Sequence, residues 1–192
     1  MTVTTLYASA DNYMSSWDTL NRGSENYIGV GEYNNHVDYI ARGLVKFDFS
    51  SLGKVAVSAV SLKLYLQYNY TSNNRIQHVY RCTKNWSESQ SSWTIYSTGN
   101  NWSTAGGDWN STSLGSLSLG SASVGWKIFT LNTSIIQQMI NGSLDNYGFL
   151  LKKETELNDS NVFGSSEGSY SPQLELTYTT VRGLRFQPIY IG

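Results

Sequence analysis

Apolar and polar residues alternate along most of this chain, and that period of two limits its fold more than any other feature. Leu62, Leu64 and Leu66 fall on one side of an extended chain, and Lys63, Tyr65 and Gln67 on the other. Val45, Phe47 and Phe49 oppose Leu44, Lys46 and Asp48. Ile76, His78, Tyr80 and Cys82 oppose Gln77, Val79 and Arg81. Shorter runs of the same kind are "TVTTLYAS", "NYIGVG", "GWKIFTL", "NYGFLLKKE", "SNVFGS" and "QLELTYTT". Strands of this length between Asn, Gly and Ser turns predict an all-β protein, a two-sheet antiparallel β-sandwich of the jelly-roll type.

One stretch breaks the period. "NTSIIQQMINGS" predicts a short helix near 133–141. Asn132 or Thr133 can cap it, Ile135, Ile136, Met139 and Ile140 form its apolar face, and Asn141-Gly142 ends it. From Ser87 to Gly125 the chain is rich in Ser, Thr, Gly and Asn and has little periodicity. Three tryptophans there, Trp93, Trp102 and Trp109, predict an ordered, packed loop.

The β-sandwich domain is expected to span 1–180. Beyond it, "VRGLRFQPIYIG" at 181–192 is too apolar for a solvated tail, and Pro188 argues against a central strand. Two readings stand side by side: a flap over the domain's own core, or an arm that docks on a neighbouring subunit through Leu184, Phe186, Ile189 and Tyr190. The arm reading makes sister subunits the partners, in a homo-oligomer such as a trimer.

With 13 basic and 14 acidic residues and no basic stripe, a nucleic-acid partner is not expected. No apolar run is long enough to insert in a membrane. "MTVTTLYASADNY" has neither the basic nor the apolar region of a signal peptide, so synthesis in the cytoplasm without a leader is expected. The lone cysteine, Cys82, has no internal disulfide partner and reads as a buried structural thiol rather than a nucleophile paired with His36 or His78.

The ordered set of residues resembles the DNRLRE-type domain, a β-sandwich grouped with carbohydrate-binding modules. Arg42, Phe47, Asp48, Phe49, Ser50, Leu52, Ser58, Ala59, Leu62 and Leu64 match its central passage. Trp86, Glu88, Trp93 and Thr94 are similar to its Trp-x-Glu element, with the threonine after the tryptophan here. Trp102, Thr104, Gly106 and Gly107 match its Trp-x-Thr-x-Gly-Gly element, and "VFGSSEGSYSPQLELTY" its closing strands. The resemblance, from about Ser9 to Thr179, implies a non-catalytic jelly-roll module of secreted or surface proteins, some members of which bind acidic polysaccharides. This chain lacks the basic cluster such a ligand calls for.

"NWSESQSSW" sets Glu88 between Trp86 and Trp93. A glycosidase would need a second carboxylate at a set separation, and nothing in the spacing selects one. The expectation is packing by the two indoles, with Glu88 satisfying a turn or pairing with a buried Arg42. Trp102 and Trp109 flank "STAGGD", where flat rings could stack on a sugar while Asp108 and Asn101 bind hydroxyls; core capping is the alternative for the same rings. Asp11, Asp18 and Glu25 lie among Asn and Gly in a loop that could hold structural Ca²⁺, the one cofactor the sequence allows, against a plain solvated loop.

Three functions compete. A non-catalytic display protein would serve as a decoration, head-fibre or tail component of a virus (phage) particle, facing host glycans from the virion surface and docked to other particle proteins. A carbohydrate-binding module of a secreted, extracellular polysaccharide-degrading or adhesion protein would use the loop tryptophans. A hydrolase would need Glu88.

Overall fold

The computed structural model of the chain describes residues 1–32, 39–70, 75–157 and 159–181. The chain is mostly β-strand. The strands are β1 (Thr2–Tyr7), β2 (Ala10–Ser15), β3 (Tyr27–Glu32), β4 (Ile40–Lys46), β5 (Val55–Asn69), β6 (Ile76–Cys82), β7 (Ile95–Ser97), β8 (Asn100–Asn101), β9 (Trp109–Ser118), β10 (Gly125–Thr130), β11 (Phe149–Lys153), β12 (Ser160–Gly164) and β13 (Gln173–Thr180). One helix, α1 (Thr133–Ile140), and a 3₁₀ turn at Ser50–Leu52 complete the set among the described residues. Residues 182–192, and with them Leu184, Phe186, Ile189 and Tyr190, lie outside the described residues, as does His36.

All the strand pairs described are antiparallel. They form a curled sheet in the order β1-β13-β5-β12-β3-β4-β11-β6-β9, with β10 on β5 and β2 on β4, beside a small β7-β8 ribbon. Two strands do the curling by changing partners along their length. β5 pairs with β13 over Val55–Lys63, with β10 over Ser61–Leu66, and with β12 from Leu66 to Asn69. β4 pairs with β2 over Ala41–Lys46, with β3 at Ile40–Ala41 and with β11 at Gly43–Val45. The β3–β12 pair therefore bridges two groups, β1-β13-β5-β10 and β2-β4-β11-β6-β9. The far edge comes back round: Asn132 N–H, just after β10, donates to the Leu114 carbonyl of β9 (2.7 Å).

The alternation read from the sequence fills the space inside this curl. Leu62, Leu64, Leu66, Val45, Phe47, Phe129, Phe149 and Phe163 are buried together. At about 25 cal/mol per Å² of apolar surface, this burial is the main favourable term of the fold. α1 closes one end through Ile136 and Met139. Asn132 Oδ1 accepts the Ile135 N–H (3.1 Å) as its N-cap. Gln137 of this helix binds the backbone at the start of β5, accepting from Val57 N–H and donating to the Val55 carbonyl.

One expectation needs correction here. The segment Ser87–Gly125 holds β7, β8 and the ten-residue β9 rather than one aperiodic loop. β9 was hidden because its register against β6 is broken twice, which destroys a clean period. Gln77, Val79 and Cys82 are all buried, and Cys82 keeps the opposite face from Val79 that alternation assigns it; both faces are covered at that end of β6. Cys82 is buried as expected, and burial pushes its thiol up to about 12, which leaves it inert near neutral pH.

A second cluster explains four of the six tryptophans. The alternation that sends Val45, Phe149 and Leu151 inward sends Leu44 and Leu150 to the opposite face of the sheet. Residues 83–109 fold back over that face, and Met14, Leu44, Cys82, Trp86, Trp102 and Leu150 pack beneath them. Trp86 and Trp102 donate their indole N–H groups to the carbonyls of Tyr147 (2.8 Å) and Ser92 (2.9 Å). Arg42 lies between the rings of Trp93 and Trp109, its guanidinium carbon 5.0 and 5.1 Å from their centroids. Its Nε and Nη2 grip Glu156 at 2.9 and 2.8 Å. Glu88 is therefore not the partner of Arg42. Its Oε1 accepts the Asp11 backbone N–H instead (2.7 Å).

Candidate binding groove

An open groove of about 990 Å³ lies where β3 and β12 bridge the two strand groups. Its floor is bare because β3 reads Tyr-Ile-Gly-Val-Gly-Glu. Ile28 and Val30 turn into the core, which leaves Gly29 and Gly31 to line the opening. Gly31 is held at φ +105°, where a Cβ would collide with the Asp159 carbonyl, so only glycine fits there.

Seven tyrosines surround this floor. On one side Tyr13 and Tyr27 share a hydroxyl–hydroxyl hydrogen bond (2.9 Å), and Tyr39 stacks on Trp17 with centroids 4.7 Å apart. On the other side Tyr65 stacks on Tyr170 at 3.7 Å and 5°, with Trp126 edge-on to Tyr65 at 5.4 Å. Tyr68 stacks on Tyr70 (6.1 Å) nearby. The strands dictate this. Tyr65 is on the outward phase of β5, the phase opposite Leu64 and Leu66, and Trp126 is its cross-strand partner on β10. Trp17 is 66% exposed and Trp126 41%, so both present ring surface to solvent.

The rim is pinned. Asn21 of the β2–β3 connection and Asn12 of β2 both donate to the Ser91 carbonyl (2.8 and 2.9 Å), which ties them to the 83–109 cover. Arg22 lies 5.2 Å over the Tyr13 ring and is clamped by both oxygens of Asp18 (2.8 and 2.6 Å). That clamp holds the Asp18 carboxyl below its usual range and the Arg22 guanidinium above its own. Burial, and then the bond to Tyr27, raise the Tyr13 hydroxyl, so it stays protonated.

The residues singled out from the sequence go elsewhere. Trp102 is 5% exposed and offers no face to a sugar. Trp109 is half-buried against Arg42 and Tyr80. Asp108 spends its oxygens on the backbone N–H groups of Ser103 (2.8 Å) and Thr104 (3.1 Å), which closes its own turn. Asn101 is exposed on β8, away from the groove lining. The three candidate calcium ligands are divided. Asp11 is a buried residue of strand β2, Asp18 is clamped to Arg22, and Glu25 is exposed at the groove. No group of three metal-binding side chains is found among the described residues. No described helix is long and apolar enough to cross a membrane.

Asp11 has a different role. Its Oδ2 accepts the Ser166 N–H (2.8 Å), which ties β2 to the β12–β13 connection that carries Tyr170. Burial outweighs this bond and raises the carboxyl from 3.8 to about 7. A group raised in the folded state stabilises fully below its unfolded value, and that contribution is lost as pH rises through the folded value. At about 1.4 kcal/mol per unit, the wild type loses on the order of 3 kcal/mol relative to Asp11→Asn between pH 4 and pH 8. Urea unfolding of both proteins across that range checks this, and parallel profiles would contradict it.

An all-β domain with an aromatic-walled groove on a curled antiparallel sheet is the class that fold and site define. Residues 11–177 match the disaggregatase related repeat domain, and the chain belongs to that family. No curated protein matches the chain.

Proposed function

We propose that the chain is a non-catalytic carbohydrate-binding module, with the tyrosine groove as its site, on a two-sheet jelly-roll sandwich of the kind the DNRLRE-type resemblance implies. The observation that carries this reading is the concentration of rings around a glycine floor, with Trp17 and Trp126 exposed beside it. Rigid rings with hydroxyl tips combine a flat apolar face with hydrogen-bonding groups, which suits a sugar ring that has both. Grooves for single-stranded nucleic acid also use stacking, but they pair it with cations that track phosphates. Here the one arginine among the described lining residues is already spent on Asp18. Glu25 is the one carboxylate among the described lining residues, whereas glycoside hydrolysis uses two; this supports binding without cleavage.

A module of this kind belongs where glycans are met, at an extracellular or virion surface. The display role on a virus particle, with sister subunits joined through the arm, keeps its one support in the apolar composition of 181–192. A native mass that falls when 182–192 are deleted would favour it.

A glycan microarray tests the binding reading. Wild type is expected to bind, and Trp17→Ala and Tyr170→Ala each to lose at least about tenfold in affinity, equivalent to ~1.4 kcal/mol. Both side chains are exposed enough for the variants to stay folded, which far-ultraviolet circular dichroism confirms. A blank array, or binding indifferent to both changes, would retire the reading.

A further inference from the structure

From the charge and layout of the groove we infer its ligand class: an extended stretch of an uncharged polysaccharide, several sugar units long, rather than an acidic polymer or a single sugar. This rests on the carbohydrate reading above.

The charge argument comes first. Among the described lining residues the charged side chains are Arg22 and Glu25. The guanidinium is closed off by two hydrogen bonds to Asp18, with side-chain exposures of 13% and 24% for the two partners. Among the described residues that line the groove, a uronate or sulfate would find no free cation and would meet Glu25. Lys63, the nearest cation along β5, is paired with Glu175 at 2.6 Å. The segments joining β3 to β4 (33–38) and β5 to β6 (71–74) contain no Lys or Arg. An anion would give up its hydration without compensation, whereas a neutral hydroxyl exchanges water for tyrosine hydroxyls and amides at little cost.

The layout gives the length. The Trp17–Tyr39 stack stands at the start of β4, and the Tyr65–Tyr170 stack on β5. β3 and β12 lie between these strands in the sheet order. Three inter-strand steps of ~4.8 Å place the walls roughly 14 Å apart along the sheet. One sugar ring can stack on either wall but cannot reach both. A chain can, and the glycine floor lets it lie close to β3.

The experiment is affinity electrophoresis of the intact chain through gels carrying xylan, galactomannan or mixed-linkage β-glucan as neutral polymers, and polygalacturonate or chondroitin sulfate as acidic ones. Retardation in at least one neutral polymer is expected, unchanged between 50 and 500 mM salt, with none in the acidic gels. Retardation by the acidic polymers alone, or a neutral interaction weakened more than tenfold by that salt, overturns the inference and leaves the carbohydrate reading standing. Retardation by none overturns the carbohydrate reading, and the inference falls with it. Calorimetry with oligosaccharides of the retained polymer, from one to six units, then tests the span. Affinity should rise at least tenfold with length, and a monosaccharide that binds as well as the hexamer would overturn the two-wall assignment.

Discussion

Asp159→Ala lowers the unfolding free energy by about 3–5 kcal/mol. Asp159 stands just before β12, and its Oδ1 lies 2.6 Å from Nζ of Lys153 at the end of β11. The two side chains are 0% and 1% exposed. Burial lowers the Lys153 pKa, and the bond to Asp159 works against that shift. Removing the carboxylate strands an ammonium group in the interior, with Arg75 as a second cation about the same site; its Nε is 4.0 Å from Asp159 Oδ2. The fold must then deprotonate the lysine or admit water. The loss reflects an orphaned charge rather than the net worth of the pair, so replacing both partners should undo it. Lys153→Met with Asp159→Leu is expected within about 1–2 kcal/mol of wild type. Urea denaturation of the three proteins measures this, and a single variant losing less than about 1 kcal/mol would contradict the burial of the pair.

Arg42→Ala is expected to cost about 2–4 kcal/mol and to loosen the 83–109 cover. Arg42 anchors that cover to β4 through a bond to the Gly106 carbonyl (3.1 Å) and the rings of Trp93 and Trp109, and is itself held in place by the fork to Glu156, just beyond β11. Among the described residues, Glu156 would keep Lys152 as its ion-pair partner, 3.8 Å away. Arg42→Lys restores charge but neither the planar fork nor the stacking, so it should recover less than half of the loss. Tryptophan emission reports the same event: both variants should shift to the red as Trp93 and Trp109 meet water. A lysine variant as stable as wild type would show that charge alone matters at this position.

These two anchors show where sequence reading ends. Leu62, Leu64 and Leu66 were legible as one buried face because a strand repeats every two residues, and α1 was legible because its four isoleucine and methionine positions fit a helical face. Packing by Trp86 was expected from its place in "NWSESQSSW", and the ring is buried, but in the second cluster rather than the main core. The partner of Arg42 was not legible. Glu156 is 114 positions away and is brought near by the β4–β11 pairing, while the closer Glu88 made an equally good guess. β9 was missed because Ser, Thr and Gly fill it and its register is irregular. The groove was missed because no local motif encodes it. Tyr13, Tyr39, Tyr65 and Tyr170 come from four separate elements and converge only through the order of the sheet. Attention to tryptophans in a polar loop led to Trp102 and Trp109, which the outward Leu44 and Leu150 draw into a second core. A signal for the groove did exist in the outward phase of β5 and the Gly-x-Gly of β3, where an aromatic surface faces a strand that lacks side chains.

The central claim is a division of labour among six tryptophans: Trp86, Trp93, Trp102 and Trp109 hold the cover on the sheet, and Trp17 and Trp126 stand beside the recognition groove. Titration of the ¹⁵N-labelled protein with a retained oligosaccharide, followed at the indole N–H resonances, tests it directly. The account predicts that the Trp17 and Trp126 signals move with added sugar while those of Trp86 and Trp102, bonded to Tyr147 and Ser92, stay fixed. Movement of the Trp102 and Trp109 signals with Trp17 and Trp126 unchanged would contradict it.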